Sequence, residues 1–506
     1  MDRASDRIAG AAARIAAAPD QAARIAALLA ALRDLRARVA AGGDARLAGW
    51  APLIRRAEFR ASAANLADWL AFRAEDLTPL QAPLAQLGLS SLGRMDGHVR
   101  PALDAVIATL SALAGQAQPV WPPVAQFTGP PALLAARRDA LFGARESGPG
   151  TRIMVTLPSE AAANGALVRR LVAEGADCVR INCAHDTPAD WVAMIAHVRA
   201  AAAAEGRVVP VSMDLGGPKF RLRRVRDKAG TRLTPGDRFA LAVSDDALPH
   251  GLPAATLSHA ALVEALRPGS QVSLDDGKLW AEVVDLSPGA ARLQVTRAPA
   301  RGFRLKPEKG VNLPGAELRV AALTEDDLAA LDTVAQHADI VAYSFVQTVA
   351  DVRRLQDELD RRCGPGRGPA ILLKIETPLA LRALPDLIVA AGAERPVAVM
   401  IARGDLAVEI GFDRLSEIQE ELLWLCAAAQ VPVVWATQVL EGMVKEGQAS
   451  RAEVTDAAMA QRAECVMLNK GPFLPEAVVF LRGILTRMDR HQSKKSARLA
   501  PLRQWI

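Results

Sequence analysis

Aromatic side chains are scarce: 4% of the 506 residues, with a single tyrosine. Charge of one sign is also lacking, because 61 Lys and Arg oppose 56 Asp and Glu and leave a net +5. A surface so nearly balanced, without a basic cluster or an aromatic-rich strand on which bases would stack, argues against nucleic acid as a partner. The cysteines are few. Cys178, Cys183, Cys363, Cys426 and Cys465 form an odd set without metal-type spacing, which speaks against zinc and for a reduced, cytoplasmic compartment. Long apolar runs are missing as well. One of the longest, from Ile25 to Leu32, stops at eight residues, far short of the roughly 20 that a membrane-spanning helix needs, so no membrane partner is expected.

What remains is the composition of a globular protein, 51% apolar and 23% charged, and the length predicts two to four domains at roughly 100–200 residues each. Residues 1–148 carry no lysine and repeat Ala, Leu and Arg at helical spacing, as in Ile8, Ile15, Ile25, Leu28, Leu29 and Leu32. This stretch predicts an all-helical region whose Pro-rich segment 119–131 reads as a linker. Asp2, Asp6 and Asp20 interrupt its Ala/Arg-rich start, and the helical pattern continues past any cleavable length, so a transit peptide is not expected. Trp50, Trp69 and Trp121 are expected to pack in the interior.

From residue 151 the pattern changes. Short apolar runs at 151–157, 178–183, 208–215, 339–345, 370–376, 397–402, 431–437 and 465–469 alternate with amphipathic stretches at 161–174, 190–204, 324–336, 349–362 and 414–429. Strands buried on both faces read as continuous apolar runs, so eight of them predict a (β/α)₈ barrel over 149–219 and 304–492, with a doubly wound sheet as the competing architecture. Residues 220–303 break the rhythm. Turn signals at Thr234-Pro235-Gly236-Asp237, Asp275-Asp276-Gly277 and Ser287-Pro288-Gly289 flank alternating segments, which predicts a small all-β domain inserted after the third strand and placed to act as a lid. Residues 493–506 form a short basic tail.

Polar residues fall where the apolar runs end. The second gives Arg180, Asn182 and His185; the third gives Asp214, Lys219 and Arg221; the fifth gives Lys374 and Glu376; the sixth gives Arg403, Gly404 and Asp405; the seventh gives Thr437. Alternation along a strand turns Lys374 and Glu376 to one side. A lysine and a carboxylate facing a barrel interior are costly unless they pair or engage a ligand. Adding Asp405 gives two carboxylates on neighbouring strands, the hard-oxygen set that suits Mg²⁺. A divalent cation beside Arg180, Lys374 and Arg221 suits a phosphorylated, acidic substrate.

At these residues the chain resembles the pyruvate kinase family. The resemblance spans roughly 151–482 through segments 179–185, 213–221, 274–277, 309–314, 344–345, 373–376, 399–409, 436–441 and 450–456, in family order. It implies transfer of a phosphoryl group from phosphoenolpyruvate to ADP, giving pyruvate and ATP in glycolysis. It further implies that Glu376 and Asp405 bind Mg²⁺, or Mn²⁺ in its place, and that Lys374 and Arg180 attend the phosphoryl group. The backbone of Arg403, Gly404 and Asp405 would take the substrate carboxylate, and Thr437 would lie on the face from which enolpyruvate is protonated. Asn182, His185 and Arg221 would line the nucleotide side.

Three departures qualify the resemblance. The family's potassium site keeps Asn182 and Asp214, but Ala184 and Leu215 stand where two further ligands are usual. Lys219 replaces a usual Glu and is expected near Asn182 and Asp214, where its ammonium would supply the missing charge and make K⁺ dispensable. The eighth strand leads into Asn469-Lys470-Gly471 rather than the usual Ser-Gly-Glu-Thr, which bears on nucleotide choice. After a helix near 475–490 the family's further α/β domain has no counterpart, so its effector control and usual tetramer are not expected; a homo-oligomer would use other interfaces. Two alternatives are a metabolite-binding homologue without turnover and another Mg²⁺-dependent barrel, such as an aldolase or lyase.

Overall fold

A computed structural model describes residues 3–116, 119–227, 231–315, 320–494 and 496–497. Eight strands close into an all-parallel barrel: β1 Arg152–Thr156, β2 Cys178–Asn182, β3 Val211–Asp214, β4 Ile340–Tyr343, β5 Ala370–Ile375, β6 Val397–Ala402, β7 Val433–Ala436 and β8 Cys465–Leu468. Each lies beside its neighbours in chain order, and pairing of β1 with β8, Arg152 opposite Cys465, completes the ring. The continuous apolar runs are continuous because both faces are covered. Met154, Ala342, Leu372, Met400, Val434 and Met467 fill the barrel, while the alternate residues Val155, Val341, Leu373 and Val399 face the surrounding helices. A doubly wound sheet is excluded by the closure.

The interval after β3 is a seven-stranded sheet with its own apolar core around Leu222, Phe239, Val272 and Leu293. Its order starts at Val311–Asn312 and ends at Leu222–Arg226. The two ends meet: Arg221 bridges Gly310, and Val311 N donates to Phe220 O at 2.9 Å. The sheet therefore takes in Val311–Asn312, beyond residue 303, because this strand of two residues is too brief to leave a periodic signal.

The N-terminal region is helical, with Gln21–Trp50 as its longest helix. It packs on the barrel's outer helices through Asn65 Nδ2, which donates to Ala428 O at 2.7 Å, and Trp50 Nε1, which donates to Asp386 at 2.8 Å. The second half of the stretch read as a linker, residues 125–131, is instead the start of helix Ala125–Phe142, with Pro130 and Pro131 inside it, while 119–124 are non-helical. Those prolines forgo two backbone hydrogen bonds. Tertiary packing offsets that cost, because Leu141 and Phe142 join the cluster inside the barrel and plug the end where its strands begin. Trp50 and Trp69 are buried as expected, but Trp121 is 51% exposed.

Candidate active site

All the polar residues singled out above sit at the end of the barrel where its strands finish, opposite the Leu141–Phe142 plug. Lys374 is buried near the end of β5. Its Nζ donates to Ser344 Oγ at 2.7 Å and lies 3.2 Å from Glu376 and 3.6 Å from Asp214. Glu376 follows directly and accepts from Phe345 N at 2.6 Å. Burial raises the Glu376 pKa and the neighbouring Asp405 raises it further, against the pull of Lys374.

Asp214 ends β3 and is wholly buried. One of its oxygens accepts from Arg180 Nε at 2.7 Å; the other has no hydrogen-bond partner among the described residues. Arg180 also donates to Thr156 Oγ1 at 3.2 Å, so neighbouring strands fix the guanidinium in the barrel mouth. The loop leaving β3 is held by Asp327, a residue not singled out from sequence. Its carboxylate accepts from Gly216 N at 2.8 Å and from Gly217 N at 3.2 Å. Gly217 has φ +66°, and a Cβ there would approach Phe345 to 2.9 Å, so glycine is required.

After β6 the chain turns at once into helix Arg403–Ile410, with Asp405 in its first turn. Lys219 is placed here and not at Asn182 and Asp214. Its Nζ lies 3.0 and 3.2 Å from the two Asp405 oxygens and 3.7 Å from Asp276 in the inserted sheet. The reason is electrostatic: Asp214 is already served by Arg180 and approached by Lys374, whereas Asp405 pairs with no other cation among the described residues. Burial works to lower the Lys219 pKa, but Asp405, Asp276 and Glu376 outweigh it and leave the pKa raised. The Arg403 side chain is turned away from the mouth. It pairs with Asp456, stacks 4.6 Å from the Trp435 ring, and donates to the carbonyls of Ala436 at 3.0 Å and Thr437 at 2.7 Å. Of Arg403 only the backbone is left to the site, whereas Asp405 turns its carboxylate toward Lys219 and Glu376.

Those carbonyl contacts brace a strained turn. Thr437, Gln438 and Leu440 have φ of 69°, 55° and 48°, a region that costs a β-branched residue most. Thr437 Oγ1 is buried without a hydrogen-bond partner among the described residues. A polar atom so held is available to a ligand.

Asn182 keeps its side chain local, accepting from Ala184 N at 3.2 Å. His185 gathers cations: burial lowers its pKa first, then Lys470, with Arg221 and Arg180 adding to the fall. It is therefore a neutral imidazole in a positively charged corner assembled from the β2 loop, the entry to the inserted sheet and the β8 loop. Arg221 itself donates to Glu308 O at 2.9 Å.

The donor set fits a hard divalent cation. Glu376 and Asp405 supply carboxylate oxygens close enough to raise one pKa through the other. Among the described residues no group of three or more His, Cys, Asp or Glu gathers, so remaining ligands would come from substrate and water, as Mg²⁺ prefers. Supporting residues without an assigned role in the sequence are Ser344, Asp327, Asp456, Glu409, whose Oε1 accepts from Asn312 Nδ2 at 3.0 Å, and Lys309, whose Nζ lies 2.9 Å from Asp275 in the inserted sheet. Ser344, Lys309, Glu409 and Asp456 lie inside segments that carry the family resemblance, and that placement was their signal. Asp327 lies outside them and had only its capping pattern, Thr324 three residues before.

Comparison with known proteins agrees with the barrel fold. The family model for the pyruvate kinase barrel domain matches residues 149–473. The pyruvate kinase of Corynebacterium efficiens is 33% identical over 323 residues, 63% of this chain and 65% of that protein. That of Methylorubrum extorquens is 34% identical over 347 residues, 67% of this chain and 69% of that protein. The Mycobacterium tuberculosis protein is 34% identical over 307 residues, 60% and 62% of the two chains. The chain thus spans about 65% of the length of the first of these relatives.

Proposed function

The chain belongs to the pyruvate kinase family, and from that premise we propose that it transfers the phosphoryl group of phosphoenolpyruvate to ADP, giving pyruvate and ATP. The observation that carries this reading is the buried Lys374 ammonium, 3.2 Å from Glu376 and hydrogen-bonded to Ser344 at 2.7 Å, in a barrel mouth shared with Arg180 and Asp405. Phosphoryl transfer asks a protein mainly for positioning and for charge aimed at the moving group. Lys374 is a point charge so aimed, and its hydrogen bond to Ser344 fixes the direction. Arg180, oriented by Asp214, grips a phosphoryl oxygen from the β2 side. The Arg403–Asp405 backbone opens helix Arg403–Ile410 and presents N–H groups to the substrate carboxylate.

Glu376 and Asp405 would hold Mg²⁺, which when bound supplies Lewis-acid neutralisation of charge on the substrate oxygens. Thr437 Oγ1 stands ready to pass a proton to the enolpyruvate carbon, either itself or by holding a water there. His185, Arg221 and Lys470 make the positive corner in which the ADP phosphates would lie, under the inserted sheet. Lys219 already brings one monovalent positive charge to the metal carboxylates, which supports turnover without K⁺. A cytoplasmic location accords with the five free thiols and with the absence, among the described residues, of a helix long and apolar enough to cross a membrane.

Purified protein with phosphoenolpyruvate, ADP and Mg²⁺ should produce pyruvate and ATP in equal amounts. Phosphoenolpyruvate that raises the melting temperature while no pyruvate forms would favour a metabolite-binding role instead. Pyruvate formed from other carbon substrates without ADP would favour a lyase.

A further inference from the structure

At the opposite end of the barrel, where β6 begins, the N-terminal region and the barrel line a cavity of about 140 Å³ that is partly open to solvent. Two cations border it, Arg56 and, from helix Ala125–Phe142, Arg137. The rest of the wall is apolar, chiefly Phe59, Leu141, Pro396 and Val397. Arg56 pairs through Nε with the exposed Glu58 at 2.9 Å and gives Nη1 to Gly392 O at 3.3 Å. Its Nη2 donates to none of the described residues. Arg137 directs Nη1 to Ser62 and to the carbonyls of Ala429 and Gln430, and Nη2 to the carbonyl of Glu58. Its Nε donates to none of the described residues, and it forms no ion pair among them.

The arrangement is fixed. Phe59 is buried against Gly392, where a Cβ would come within 2.5 Å of its ring, and the Arg137 guanidinium lies over that ring, 5.4 Å from its centroid. Burial lowers the Arg137 pKa to about 10, with the Arg56 charge adding to the fall. Two like charges thus border one cavity, and the one carboxylate paired with either of them among the described residues is that of the exposed Glu58, on Arg56. Guanidinium edges with free N–H groups beside an apolar wall are complementary to an oxyanion carried on an apolar body.

We propose that this cavity binds a small amphipathic oxyanion: a phosphate or carboxylate head between Arg56 and Arg137, on a compact apolar body resting against Phe59, Leu141 and Val397. Val397 opens β6, the strand whose other end delivers Asp405, so such a ligand would bear on the same strand as the barrel mouth while standing apart from it.

The test uses the full chain and four probes in calorimetric titration: phenyl phosphate, benzoate, phenol and inorganic phosphate. Phenyl phosphate or benzoate should saturate one site per chain, and the better of the two identifies the preferred head. Phenol lacks the anion and inorganic phosphate lacks the body, so each should bind at least about tenfold more weakly. Arg56→Gln should weaken the better probe by at least about tenfold. Ala140→Phe, which fills the cavity from an exposed helix position without removing a hydrogen bond, should abolish binding. Lys374→Met, altered only at the far mouth, should bind as wild type does, which separates this site from the barrel mouth whatever reaction occurs there. The proposal is overturned if wild type shows no saturable binding of either anionic probe up to about 10 mM, if phenol binds as well as they do, or if folded Arg56→Gln retains wild-type affinity. Cooperative melting of each variant establishes that it is folded, and Arg56→Gln decides the matter alone if Ala140→Phe is not.

Discussion

Lys219 and Asp405 join the inserted sheet to the barrel: the ammonium lies 3.0 and 3.2 Å from the two carboxylate oxygens, and 3.7 Å from Asp276 on the sheet side. A second tie runs parallel to it, Asn312 Nδ2 donating to Glu409 Oε1 at 3.0 Å. Both end on the same helix, Arg403–Ile410, so the residues that would hold metal and those that position the lid share one rigid element.

The lysine's fixed charge bears on the monovalent-ion requirement. Velocity should be the same in KCl and in tetramethylammonium chloride at equal ionic strength. Lys219→Glu should lower the rate by roughly 10² without K⁺, the scale of losing one charge aimed at the reacting group, and KCl should restore part of it. A wild-type rate that rises many-fold on adding K⁺ would remove Lys219 from this role.

Thr437 holds a hydroxyl that bonds to no described residue, on backbone with φ 69°. Thr437→Ala should therefore cost little stability, within about 1 kcal/mol, while lowering kcat by roughly 10² or more as proton delivery is lost. Thr437→Ser should keep most activity. Steady-state kinetics beside thermal melting separates the two effects; equal loss in both variants would assign the effect to backbone geometry.

Glu409 provides a pH dependence of stability. Burial raises its pKa to about 7, with Asp405 adding to the rise and the Asn312 hydrogen bond opposing it. The folded protein therefore holds a proton that the unfolded chain releases near 4.5. The resulting stabilisation is fully present below about 4.5 and is lost as pH rises through about 7, a change on the order of 3 kcal/mol. Glu409→Gln keeps the acceptor for Asn312 and removes the titration. Its melting temperature should fall less than that of wild type between pH 5 and 8, and parallel profiles would show that Glu409 titrates normally.

The barrel was legible because physics at that scale is local. A strand covered on both faces must be apolar throughout, and a polar residue at its end must have a reason to be there; Lys374, Glu376, Asp405 and Thr437 are such residues. Pairings made by tertiary juxtaposition were not legible. Lys219 went to Asp405 because Arg180 and Lys374 already served Asp214, a competition that no spacing encodes. Arg403 reads as a site residue from its place after β6, yet its side chain is drawn to Asp456, 53 residues further on, and braces the Thr437 turn from behind. Helix Ala125–Phe142 overrode two prolines because Leu141 and Phe142 had a barrel end to fill.

The central claim is that the Lys374 ammonium stabilises a phosphoryl group in transfer, and Lys374→Met tests it most directly. With Mg²⁺, phosphoenolpyruvate and ADP, the variant should lose roughly 10³ or more in kcat, while Mn²⁺ titration shows a retained metal site that Glu376→Gln weakens. Wild-type turnover in Lys374→Met would contradict the account.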